Sequence, residues 1–439
     1  MKSEFRCLAG CPGSYPLTQT IYRCPSCNGL LDVHHDIEAL RAAHDADGWR
    51  DLFDRRRCHG DFPLSSGVWS KHEWVAPALP LEHIVSTGEG HTTLLSAPAL
   101  GREMGVPKLR IKMCGNSHTG SFKDLGMTVL VSMVKHAIAS GADIKAVGCA
   151  STGDTSAALA AYGATADVPV VVLLPKGKVS TAQLVQPIAS GARVLALDTD
   201  FDGCMAIIQA LANEGVLYLA NSLNALRIEG QKTVVVEICQ ELGWRVPDWV
   251  VLPSGNLGNG YAMYRGLKMM LDLGLIDRMP RLCLAQAERA NPLFRAFSAG
   301  RREVDAVRAE PTLASAIQIG NPVSAPRAML ALEATDGVVA QASEQALSDV
   351  AARADRTGLY VCPHTAVALA CVEQLAADGA MKADDEVVVI STASGLKFTE
   401  FKVRYHEAAL KDHGVTATHA NPPTELPAEL NAVREAIGV

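Results

Sequence analysis

From about residue 85 to residue 410, short β-branched runs alternate with longer segments whose apolar residues recur every three or four positions. "IKAVGCA" (144–150), "VPVVVLLP" (168–175) and "ARVLALD" (192–198) read as strands. The helices between and after them are "TSAALAAYGATA" (155–166), a segment near 180–190, and "DGCMAIIQALANEG" (202–215). A second series runs "DWVVLP" (248–253), "YAMYRGLKMMLDLG" (261–274), "RLCLAQA" (281–287) and "EVVVIST" (386–392). Near-continuous apolar strands separated by helices of ten or more residues predict parallel sheets covered on both faces. Two such series predict an α/β protein of two doubly wound lobes. A ligand crevice is expected where strand C-termini meet helix N-termini.

The division that follows is a large lobe from residues 37–125 and 223–410 and a small α/β lobe from 126–222. A cysteine-paired module precedes them over 1–36, and a tail follows over 411–439. Leu430, Val433 and Ile437 form one stripe of a short helix in that tail, expected to dock on the body or on a partner subunit.

Composition narrows the function. Of 439 residues, 48% are hydrophobic and 20% charged, as in soluble globular proteins. The net charge of −7 argues against a nucleic-acid partner, which needs a surplus of Lys and Arg. Arg55-Arg56-Arg57 is a local run, read as a solvated loop face. No apolar run approaches the ~18 residues of a membrane span. "MKSEFRCLAG" lacks an apolar core and is not rich in Arg and Ser, so a cytoplasmic protein is expected, with most of its 12 cysteines reduced. Cys7 and Cys11, with Cys24 and Cys27, form two close pairs that could supply tetrahedral zinc; a small hairpin with free cysteines is the alternative.

Three turns carry the candidate chemistry. In "CGNSHTGSFKDLGM" (114–127), Lys123 opens a helix whose apolar face is Met127, Leu130, Val131, Val134 and Ile138, with Gly141 suited to its C-terminal cap. A helix start disfavours a cation, so the site lowers the amine's pKa, and a neutral amine is what an imine with an aldehyde requires. An exposed surface lysine is the alternative. In "CASTGDTSAA" (149–158), hydroxyls and free N–H groups at a helix start suit a carboxylate or phosphate, although Asp154 could act as the N-cap alone. In "PSGNLGNGYA" (253–262), Gly255, Gly258 and Gly260 let the backbone curl around a phosphate. An amine, an anion turn and a phosphate turn are together what pyridoxal phosphate needs.

With "ANSLNALRIEGQKT", "ASAIQIGNPVS", "CPHTAVAL" and "STASGLKF" added, the motifs resemble the threonine synthases, specifically the plant-type branch, over roughly residues 65–415. That family belongs to the fold type II pyridoxal-phosphate enzymes, with the tryptophan synthase β architecture. The resemblance implies conversion of O-phospho-L-homoserine and water to L-threonine and phosphate by γ-elimination and β-addition of water. This is the last step of threonine biosynthesis. A paralogue acting on O-phosphoserine is the alternative. The resemblance implies that Lys123 holds the cofactor. It makes Gly255, Asn256, Leu257, Gly258 and Asn259 the phosphate cup and pairs Thr392 with the pyridine nitrogen. Ser151, Thr152 and Thr155 would grip the substrate carboxylate, with Asp154 beside the cofactor's phenolic oxygen. Asn221, Ser222 and Arg227 would hold the substrate phosphate. Relatives are usually dimers, so a homodimer is expected, and plant members are activated by S-adenosylmethionine. Ser394 stands where the family motif has His.

Overall fold

The structure, a computed structural model, describes residues 1–151, 153–177 and 181–438. The chain builds two open sheets and a small N-terminal one. The larger sheet has six strands in the order Val338–Ala342, Arg281–Ala287, Trp249–Pro253, Glu386–Ile390, Lys108–Lys112, Leu94–Ser96. All neighbours are parallel except Leu94–Ser96, which pairs antiparallel at the edge. The smaller sheet is all parallel, in the order Arg193–Leu197, Val170–Pro175, Val147–Ala150, Tyr218–Leu219. Both are doubly wound α/β lobes, as the alternating pattern predicts.

The expected elements are present with trimmed or shifted ends. The helices expected over 155–166, near 180–190 and over 261–274 run Asp154–Ala166, Thr181–Ala189 and Gly258–Asp272. Strand Lys108–Lys112 is not among the strands expected above, although KLRIK alternates charged and apolar residues with the two-residue period of a strand. Its last residue is fully buried. Lys112 Nζ lies 2.8 Å from Glu237 Oε2 and 2.5 Å from Glu241 Oε1. A lysine is tolerated there only with such partners, which lie over 120 residues away.

Other expectations are corrected. Arg55–Arg57 lie on a helix, Ala46–His59, and Arg56 forks onto both carboxylate oxygens of Glu73 at 2.7 Å rather than facing water alone. The N-terminal module is a three-stranded antiparallel sheet rather than a hairpin, in the order Tyr15–Pro16, Ser3–Cys7, Leu31–His35. The tail helix Leu430–Ile437 does not dock on the body. Leu430, Val433 and Ile437 are 67%, 42% and 66% exposed. No helix among the described residues is long and apolar enough to cross a membrane.

One helix crossing positions the site. Helix Lys123–Ala139 packs on the short helix Leu226–Gln231 through two glycines. A Cβ on Gly230 would sit 1.6 Å from the Leu125 carbonyl oxygen, and one on Gly126 would sit 2.9 Å from that of Arg227. Only glycine permits this approach. It brings the first turns of both helices together, and those turns carry Lys123 and Arg227.

Candidate functional site

A cleft between the lobes is lined by Lys123, Asp154, Ser222, Arg227, the run Gly255–Asn259, His364 and Thr392, with Phe122, Ile228 and Ile317 as apolar walls. It lies at the C-terminal ends of strands Trp249–Pro253 and Glu386–Ile390 and at the starts of the following helices.

The loop before Lys123 is held rigid. Asp124 accepts from Ser117 Oγ at 2.5 Å, Thr119 N at 2.8 Å and Thr119 Oγ1 at 2.5 Å. Ser117 and Thr119 therefore shape the loop. The loop is zipped to the end of strand Glu386–Ile390 by Gly115 N to Ser391 O, Phe122 N to Thr392 O and Ser394 N to Gly120 O, all 2.8–3.0 Å. Lys123 and Thr392 are thus fixed relative to each other by backbone.

Lys123 is part-buried, its Nζ lies 4.5 Å from the centre of the Phe122 ring, and it has no hydrogen-bond partner among the described residues. Burial, and then the Arg227 cation, push its amine down to about 7, while Asp154 acts the other way. The amine is thus largely neutral just above pH 7. Arg227 is 4% exposed and donates Nη1 to Ala220 O at 3.2 Å; its Nε is buried with no partner. Burial holds its guanidinium down to about 10. A buried cation with an unused donor aimed at a cleft is a place for an anion.

The glycine-rich run supplies a second anion site. Leu257 adopts a left-handed φ of +68° and opens helix Gly258–Asp272. The N–H groups of residues 255–259 have no acceptor among the described residues. Five free N–H groups at a helix start form a phosphate cradle. An unpartnered amine, this cradle and the free Thr392 hydroxyl fit a phosphorylated pyridine aldehyde.

The remaining candidates are placed as follows. Ser151 Oγ accepts from Gly153 N and Ser156 N, both at 3.2 Å, so it caps helix Asp154–Ala166. Asp154 is the first residue of that helix and not its cap. Its carboxylate meets Lys397 Nζ at 2.8 Å, which also donates to Thr119 O at 3.0 Å. The Lys397 ammonium thus compensates the Asp154 carboxylate. Thr155 lies in the same first turn, and Thr152 lies outside the described residues. Asn221 does not line the cleft; both ends of its amide bond to Ala150 of the neighbouring strand, at 3.1 and 2.9 Å. Ser394 Oγ accepts from Leu396 N at 3.3 Å and caps a short turn.

Sequence reasoning missed His364, which lines the cleft, and Lys397, which pairs with the cleft residue Asp154. Lys397 and His364 both sit in quoted motifs, yet their partners, Asp154 and Ala316 N (3.0 Å), are remote in sequence. The four cysteines of the N-terminal module do come together. Their sulfurs lie within 4.8 Å of one another, and none of the four lines the cleft.

Comparison with known proteins identifies the family and the fold. A family model described as pyridoxal-phosphate dependent enzyme matches residues 85–393. The chain is 50% identical over 426 residues to threonine synthase 2, chloroplastic, of Arabidopsis thaliana, covering 97% of this chain and 82% of that one. It is 37% identical over 407 residues to threonine synthase of Methanocaldococcus jannaschii, covering 92% and 96%. Among solved structures, pyridoxal-phosphate-bound threonine synthase from Brucella melitensis superposes with a TM-score of 0.69 at 18% identity, covering 97% and 93%.

Proposed function

The chain belongs to the pyridoxal-phosphate-dependent enzymes, among the threonine synthases, and from that premise we propose that it converts O-phospho-L-homoserine and water to L-threonine and phosphate. The observation that carries this reading is the pairing of Lys123 with the buried, part-unsatisfied Arg227 in one cleft beside a separate cradle of free N–H groups. One phosphate site serves the cofactor and the other a phosphorylated substrate.

Pyridoxal phosphate, once bound, supplies a sink for the electron pairs left by departing protons. Lys123 would hold it covalently, residues 255–259 would take its phosphate, Thr392 would meet its ring nitrogen, and Asp154, backed by Lys397, would lie beside its phenolic oxygen. Lys123 Nζ, freed when substrate binds, takes the proton from Cα and carries protons among Cα, Cβ and Cγ. Arg227 and Ser222 hold the substrate phosphate and stabilise the charge that grows on its bridging oxygen as the Cγ–O bond breaks. The start of helix Asp154–Ala166, with Ser151, Thr152 and Thr155, receives the substrate carboxylate. Asn221 acts behind the cleft by tying the Ser222 segment to strand Val147–Ala150.

Cofactor capture needs the neutral amine. Uptake of pyridoxal phosphate by cofactor-free protein, followed by absorbance, is expected to quicken as pH rises through about 7 and then level off. A rate still climbing near pH ~10, where an ordinary lysine titrates, would contradict the lowered pKa.

The bond that breaks is tested with ¹⁸O-labelled water. The label is expected in the threonine hydroxyl and not in phosphate, since water adds to Cβ and the C–O bond cleaves. Labelled phosphate with homoserine as product would identify a phosphatase and overturn the proposal.

A further inference from the structure

The N-terminal module has chemistry that this reaction does not use. Cys7, Cys11, Cys24 and Cys27 are all free thiols, and their sulfurs lie mutually within 4.8 Å, with Cys7 and Cys27 3.5 Å apart. A zinc ion bound by four sulfurs at about 2.3 Å sets them about 3.8 Å apart at tetrahedral angles. Each pair sits on a tight turn. Gly10, at φ +82°, donates to Cys7 O at 3.1 Å in one; Asn28, at φ +56°, donates to Cys24 O at 2.8 Å in the other. Leu8 N to Leu30 O, 2.9 Å, ties the two turns together. Gly29 N points at Cys27 Sγ at 3.4 Å, a donor suited to a thiolate.

Leu17, Ile21, Tyr22 and Leu30 pack against the body, but backbone pairing holds little of this segment. Residues 17–30 contain no strand, only the single bridge between Arg23 and Leu30. Four sulfur ligands select zinc or iron over hard cations.

The segment that the cysteines bracket packs on strand Tyr218–Leu219, whose continuation holds Arg227. Tyr22 Oη accepts from Leu219 N at 2.7 Å, and its ring stands edge-on to Tyr218, centroids 5.6 Å apart. Leu219 continues into Ala220, whose carbonyl holds Arg227 Nη1. Tyr218 Oη accepts from Asn224 Nδ2 at 3.1 Å, and Asn224 Oδ1 accepts from Leu226 N at 3.1 Å.

We propose that Cys7, Cys11, Cys24 and Cys27 bind one zinc ion, and that this ion, by fixing Tyr22 against Tyr218–Leu219, positions Arg227 for phosphate. Tyr22 is a positioning residue; it meets no substrate. The positioning half rests on the reading of Arg227 as a phosphate ligand; the metal half does not.

The test uses the purified full chain and needs no turnover. Elemental analysis is expected to give about one zinc per chain and no iron. Cobalt(II) exchanged into the protein is expected to give the intense sulfur charge-transfer bands of a tetrahedral S4 site. Cys58→Ser, outside the cluster, keeps the metal, whereas Cys24→Ser loses it. Tyr22→Phe keeps zinc and the fold, yet is expected to weaken binding of inorganic phosphate several-fold, measured by calorimetry on the cofactor-loaded protein. A chain without metal after expression in zinc-supplemented medium would overturn the site. Unchanged phosphate affinity in Tyr22→Phe, beside a wild type that binds phosphate, would overturn the positioning role. Failure of wild type and variant alike to bind phosphate would instead remove the Arg227 reading, and with it the positioning half, leaving the metal count to stand alone.

Discussion

Replacing Lys123 with alanine is expected to slow phosphate release from O-phosphohomoserine on the order of 10³-fold or more, since both the covalent anchor and the proton carrier disappear. The structure explains why this cost falls on activity and not on the fold. The amine has no hydrogen-bond partner among the described residues, and burial has already lowered its pKa to about 7. The folded state binds the Lys123 proton less tightly than the unfolded chain, whose lysine titrates near the ordinary value of 10.5. Between about pH 7 and that value the unfolded chain holds more protons, so stability rises with pH. Below about 7 the wild type bears the full cost of a buried ammonium. Lys123→Ala therefore melts no earlier than wild type at neutral pH. Lys123→Arg keeps the charge but cannot lose its proton, and is expected to be as inactive as the alanine variant. Phosphate-release rates within tenfold of wild type in either variant would remove Lys123 from the mechanism.

Arg227→Leu is expected to lower kcat/KM for O-phosphohomoserine by about 2–5 kcal/mol, or roughly 30- to 4,000-fold, the cost of losing one partner of a buried charged pair. Most of the loss should lie in KM, because the phosphate is held before and during bond cleavage. Stability should move the other way. Arg227 is 4% exposed, offers Nη1 only to a carbonyl, and leaves Nε unpaired. Removing such a cation leaves the melting temperature unchanged or raises it. The Arg227 charge also holds the Lys123 amine down, so the pH at which cofactor uptake levels off moves upward in the variant. A protein that loses both stability and activity would make Arg227 a structural residue.

What the chain discloses before folding follows the range of the interactions. The two central small-lobe strands are apolar throughout, and that pattern locates Val147–Ala150 and Val170–Pro175 within a few residues. Lys123 and the run 255–259 stand out because local signals mark them, a cation at a helix start and glycines at a strand end. The burial of Lys112 at the end of strand Lys108–Lys112 is hidden because it depends on Glu237 and Glu241. The pairing of Asp154 with Lys397 is hidden for the same reason, and so is the Asn221 amide, which bonds across two strands rather than into the cleft. The crossing of helices through Gly126 and Gly230 is invisible in sequence, since an isolated glycine in a helix reads only as a weak propensity. The cysteine spacing alone favours a hairpin with free thiols over a metal site; two positive-φ turns bring the sulfurs into one cluster.

The central claim is that the amine and the second phosphate site serve one substrate. Its most direct measurement follows phosphate and threonine together from purified, cofactor-loaded protein given O-phospho-L-homoserine or O-phospho-L-serine. The account predicts one threonine per phosphate from the first and a far lower kcat/KM for the second. Phosphate released without threonine, or a kcat/KM for O-phosphoserine equal to or above that for O-phosphohomoserine, would contradict it.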